Sequence, residues 1–144
     1  MTPTDNAARK PSLEDDRRCF ACGPDNPDGL QLRFDYGDGT ARARFVAQER
    51  FAGWTTIMHG GIIATLLDEA MAHAAIAAGV RAVTARLEVR FRKAAPVAAP
   101  LLLEGRLEGR RGRLLTLVAT ISGEDGTIYA EGHGRFVTDD GRAP

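Results

Sequence analysis

The chain lacks most of the features that announce a partner. Its 19 Lys and Arg balance 19 Asp and Glu, so no net charge draws it to nucleic acid or to an anionic membrane as its main partner. No apolar run approaches the roughly 20 residues of a membrane span. Met1 to Arg18 is polar and charged, without the apolar core of a signal peptide, so the expected address is the cytoplasm. Internal repeats and low-complexity domains are missing too. At 144 residues the chain suits one domain, large enough to bury about two-thirds of its unfolded surface.

Cysteine is scarce: Cys19 and Cys22 are the only two, in the run Cys19-Phe20-Ala21-Cys22-Gly23. A thioredoxin-like redox pair would open a helix after a strand, whereas Gly23-Pro24-Asp25-Asn26-Pro27 breaks the chain at once. A zinc site would need two more ligands, and His59, His73 and His133 show no ligand spacing with the cysteines. The third reading, a pair of reduced structural thiols in an entry loop, fits the sequence best, with redox and zinc (its further ligands from a second subunit) as the alternatives.

What is present is a clear succession of patterns. Residues 1–17, with Pro3, Pro11 and an unpatterned charged run, read as a flexible tail ahead of a single domain at 18–140. Leu30-Gln31-Leu32-Arg33-Phe34 alternates, Asp38-Gly39 marks a turn, and Ala41 to Val46 alternates again, which predicts a hairpin. From His59 to about Ala78, Ile62, Ile63, Leu66, Leu67, Met71, Ala74 and Ala75 recur at helical spacing, predicting one long buried helix. Strand patterns follow at 83–92, 101–107, 114–121 and 128–137, separated by 96–100, 105–112 and 123–126. Two strands, a helix and four strands give an α+β fold in which one antiparallel sheet wraps the helix, since no second helix can cover it.

The chemistry concentrates at the start of that helix. His59-Gly60-Gly61 opens it with glycines, which let a carbonyl approach the backbone where first-turn N–H groups are free. Two turns on, Asp68 sits among Leu66, Leu67, Ala70 and Met71, where an unpaired carboxylate is costly to bury. It is a candidate general base or nucleophile; a structural acid bonded to an arginine or a helix end is the alternative. Glu69, about 100° further round, is a second acid or a salt-bridge partner. Arg90, Arg92 and Lys93 form a basic cluster suited to phosphates, or an ordinary solvated strand face.

These residues resemble the hotdog-fold thioesterases, PaaI-type branch, whose central helix begins His-Gly-Gly and carries Asp or Glu at the position of Asp68. Gly53-Trp54, Asp68-Glu69-Ala70-Met71 and the block from Thr84 to Lys93 extend the match over roughly residues 19–138. Some such relatives share a similar CxxCG and Asn-Pro-x-Gly-Leu block. The resemblance implies a hotdog fold and an acyl-CoA thioesterase that needs no metal or bound cofactor. In it the Gly60 N–H receives the thioester oxygen and Asp68 acts as base or nucleophile. His59, Gly61 and Glu69 stand beside the substrate, and Arg90, Arg92 and Lys93 meet coenzyme A.

Thr84 matches a Ser or Thr position near the reacting centre. Yet the alternation of Leu87, Val89 and Phe91 places Thr84 on the opposite face unless the strand bulges. Gly60 and Asp68 also lie about 12 Å apart along one helix, which calls for a homodimer with shared sites, or a tetramer of two such dimers. Rival readings are a non-catalytic acyl-CoA binding module and an enoyl-CoA hydratase type that pairs Asp68 with His73. Phe51, Trp54 and Phe91 do not define an acyl group.

Overall fold

The computed structural model describes residues 13–139. Its elements run β1 (Asp35–Tyr36), β2 (Thr40–Val46), a 3-10 turn (Glu49–Phe51), β3 (Ala52–Trp54), β4 (Ile57–Met58), α1 (Gly60–Ala77), β5 (Ala82–Phe91), β6 (Pro100–Arg111), β7 (Leu114–Gly123) and β8 (Ile128–Thr138). Six strands form one sheet in the order β1-β2-β6-β7-β8-β5, every neighbouring pair antiparallel. Strands β3 and β4 make a separate two-stranded hairpin. Among the described residues one α-helix packs on the sheet, the hotdog arrangement that the resemblance implies.

Helix α1 is defined at both ends. His59 caps its start. At the other end Gly79 adopts φ 88° and bonds Ile76 O while Val80 N reaches Ala75 O at 3.1 Å, the paired contacts of a glycine-terminated helix. Its apolar residues meet the sheet: Leu66, Leu67 and Met71 are fully buried, as are Leu103, Leu117 and Phe136. Burying each such side chain contributes about 2 kcal/mol. By length and composition α1 is apolar enough to cross a membrane, more so than the chain's broken apolar runs suggest. Here that character is spent against the sheet.

The strongest packing constraint lies at Gly105 on β6. A Cβ there would sit 2.0 Å from the carbonyl oxygen of Ala70, so the helix backbone rests directly on the strand backbone. This explains how the strand passes through glycine at 105, which falls both in the expected strand 101–107 and in the separator 105–112. Strand β6 continues to Arg111, and the turn comes at Gly112 with φ 60°.

Residues 30–34 also depart from expectation. Leu30 and Leu32 are buried, as alternation predicts, but Gln31 has φ 53° and the segment is not a strand. Its N–H groups at Leu30 and Leu32 bond Phe20 O and Ala21 O, each at 2.9 Å. The segment thus pairs with the cysteine loop, leaving β1 as a two-residue remnant of the predicted hairpin. Of the predicted tail, residues 1–12 lie outside the described residues. Leu13 O accepts from Arg81 at 2.7 Å and Arg17 pairs with Asp25 at 3.0 Å, so the last residues of that tail are attached to the domain.

Candidate active site

The β3–β4 hairpin, absent from the sequence prediction, delivers the start of α1. His59 N bonds Phe51 O and Met58 N bonds Ala95 O, both at 2.8 Å. Gly53 lies against this corner: a Cβ on it would come within 3.2 Å of the His59 Cα. The His59 ring then turns back to cap the helix, its Nδ1 accepting from the Gly61 N–H at 2.8 Å. Gly61, expected beside the substrate, therefore gives its N–H to His59, and a Cβ there would press on the ring at 3.1 Å. In the described structure His59 thus serves as the helix N-cap.

Gly60 differs from its neighbour. Among the described residues no acceptor takes its N–H, and the residue lines a cleft of about 300 Å³ with Ile63, Phe91, Arg92, Lys93 and Tyr129. A helix N-terminus carries partial positive charge, so this N–H is suited to a developing oxyanion.

Asp68 faces β5, where the Thr84 hydroxyl donates to its Oδ1 at 2.6 Å. A bulge that reconciles Thr84 with the alternation of β5 is present, since the register with β8 shifts between Thr84 and Arg86. It returns Thr84 to the side of Leu87 and Val89. Burial pushes the Asp68 carboxyl above the ordinary carboxylate range; the Thr84 bond opposes this, and the Glu69 charge adds to it. A half-buried acid of raised basicity, held by one hydroxyl, is suited to accept a proton.

Glu69 turns to other company. His73 Nε2 lies 3.1 Å from its Oε1, and the Cys19 thiol donates to the same oxygen at 3.7 Å. Burial would raise this carboxyl, but hydrogen bonds from His73 and the cysteine thiols hold it below its usual value. Of the two roles open to Glu69, the structure shows the ion pair, with His73. The His73 ring is itself engaged by Tyr36, whose hydroxyl lies 2.8 Å from Nδ1, and it stacks on Phe34. An Asp68–His73 pair of the hydratase kind is not formed among the described residues. Spacing signals only the Glu69–His73 pair, one turn apart on α1; Cys19 and Tyr36 join it from the entry loop and β1.

The basic trio divides. Arg92 and Lys93 line the cleft beside Gly60, with Arg92 held by Glu131 at 2.9 Å. Arg90 is exposed on the strand and does not line that cleft. Tyr129, from β8, was not foreseen there; its neighbour in space, Phe91, was named only as an undefined aromatic.

Comparison with known proteins gives a consistent set of likenesses. Residues 55–130, more than half of the chain, match the family model described as the thioesterase superfamily. Over 88 residues, 60% of this chain, the sequence is 33% identical to acyl-coenzyme A thioesterase THEM4 of Mus musculus. The chain spans roughly a third of the curated relatives it matches, 38% of the mouse protein and 33% of the Bos taurus one. Among solved structures, the thioesterase superfamily protein RHA08564 superposes with TM-score 0.80 at 25% identity, covering 93% of this chain and 72% of that one. The PaaI protein of E. coli superposes with TM-score 0.72 at 18% identity, covering 78% of this chain and 82% of its own, a likeness of fold.

Proposed function

Because the chain belongs to the thioesterase superfamily, we propose that it hydrolyses an acyl-CoA thioester to a free acid and coenzyme A. Water adds to the carbonyl carbon as Asp68 takes its proton. The oxyanion is received by the Gly60 N–H, and collapse breaks the C–S bond as the proton passes to the departing sulfur. Direct attack by Asp68, through an anhydride that water then opens, uses the same groups. Thr84 is a positioning residue that presents one face of the acid. Arg92 and Lys93, at the mouth of the cleft, suit the phosphates of coenzyme A.

The observation that carries this reading is the separation of the two groups. Gly60 lines the cleft, whereas Asp68 does not and lies two turns along the same helix, about 12 Å away. Its bond to Thr84 is open to solvent in the single chain. Strand β5 is a ten-residue sheet edge, and long unprotected edges call for a cover. Val83 and Phe91 on that edge are 50% and 56% exposed, and Trp54 is 80% exposed. A two-fold dimer that covers this edge and sets the helices antiparallel would bring Asp68 of one copy beside Gly60 of the other. A non-catalytic acyl-CoA binder has no use for a half-buried acid that burial makes more basic.

The test is subunit mixing. Asp68→Asn chains and Gly60→Pro chains should each be inactive, Pro being tolerated at a first helical position while deleting the N–H. On random exchange about half the dimers are mixed, each with one intact site, so roughly a quarter of wild-type activity should return. Demonstrated exchange of folded chains without recovery would refute the shared site. Absence of free thiol from a panel of acyl-CoAs incubated with wild type would refute the hydrolase.

A further inference from the structure

The cysteine pair is assigned no part in thioester cleavage, yet it is built into a converging cluster. The turn that joins the thiols is closed by Gly23 N to Cys19 O at 2.8 Å. Only glycine fits there, since a Cβ would fall 2.3 Å from Cys19 N. The bonds from Leu30 and Leu32 to Phe20 and Ala21 then press this turn toward α1. Both cysteines are free thiols and partly buried. Their Sγ atoms and a Glu69 carboxylate oxygen all lie within 4.8 Å of one another.

We propose that Cys19, Cys22 and Glu69 bind one divalent zinc ion, which pins the entry loop to the central helix. The dimensions fit. With Zn–S near 2.3 Å and Zn–O near 2.1 Å, tetrahedral ligands S and O stand about 3.6 Å apart. Cys19 Sγ and Glu69 Oε1 are 3.7 Å apart. Two sulfurs and one carboxylate oxygen are a donor set that favours zinc over magnesium or calcium. His73 supplies the supporting contact that ligating carboxylates usually have: its Nε2 holds Glu69, and its own ring is fixed by the Tyr36 hydroxyl and the Phe34 face. Three protein ligands leave the fourth position to water. Binding exchanges the two thiol protons for the metal, which releases them to solvent.

Sequence spacing alone argued against zinc because the missing ligand was sought among histidines. It is a glutamate, 50 residues from Cys19, and the fold brings it there.

The full chain, made in zinc-supplemented medium and purified under reducing conditions without chelator, should carry about one zinc per chain by elemental analysis. Co2+ added to chelator-stripped wild-type protein should produce a thiolate-to-metal charge-transfer band, which Zn2+ then removes. Cys22→Ser should abolish the band, and Glu69→Gln and His73→Gln should each weaken zinc affinity by about 10- to 100-fold. The proposal is overturned if wild-type protein with intact thiols gives no cobalt–thiolate band, a result that depends on no variant. Equal zinc affinity in wild type and a folded Cys19→Ser/Cys22→Ser chain would also overturn it. So would an intact mass showing that the two thiols form a disulfide in the freshly isolated protein in place of bound metal.

Discussion

Asp68 and Glu69 are neighbours in the chain and opposites in circumstance. One step of the helix, about 100°, sends Asp68 to Thr84 on β5 and Glu69 to His73 and the cysteine loop. Both lose water, yet the first carboxyl is raised and the second lowered. The difference is the number of donors supplied. Glu69 is an anion surrounded by groups that prefer it charged, whereas Asp68 has a single hydroxyl and keeps an oxygen free of bonds among the described residues. Burial makes an acid reactive only where the fold withholds compensation.

The contrast fails first, if it fails, at Asp68. Asp68→Asn should lower kcat by at least about 100-fold with folding intact by circular dichroism, because volume is kept and the base is lost. Near-normal turnover would move the chemistry off this side of the helix. Thr84→Val should cost about tenfold in kcat. It should also shift the pH profile: the Thr84 bond lowers the Asp68 pKa, so its loss raises that pKa, and the acidic limb of kcat against pH should move to higher pH. An unshifted limb would mean that Thr84 only packs.

A smaller effect should separate the cleft from the acid. Gln at both Arg92 and Lys93 should reduce kcat/KM for coenzyme A esters about fivefold more than for pantetheine esters, the size expected of exposed charge contacts. Arg90→Gln, off the cleft, should discriminate little. Equal losses on the two ester types would return the cations to an ordinary solvated face. Least affected should be Glu69→Gln, with kcat changed by less than about threefold at saturating substrate. A loss equal to that of Asp68→Asn would reverse the assignment of the two acids.

The helix and the four later strands were legible because each is written in local periodicity, whereas Asp68 stands out only by the family position it matches. At Thr84 the clash between family position and parity left a bulge or a subunit boundary to reconcile it, and a bulge lies between Thr84 and Arg86. Residues 30–34 misled because burial alternates there without a ladder; their N–H groups go to Phe20 and Ala21. Gly105 was ambiguous because glycine marks a close approach as readily as a turn. Of the partners of Glu69, His73 stands one helical turn on and is readable from spacing, whereas Cys19 reaches it only through the fold. At Gly61 the structure adds a contact that spacing did not signal, the N–H bond to the His59 cap.

The bare backbone at Gly105 has a reach beyond packing. Ala70, whose carbonyl rests on it, follows Asp68 by half a helical turn, so the sheet acts as a depth gauge for the acid. Any side chain at Gly105 must lift the helix or bow the strand, and a shift of even an ångström is large against a 2.6 Å bond to Thr84. The fit of Asp68 against Thr84 is thus governed in part by a residue on neither of their elements.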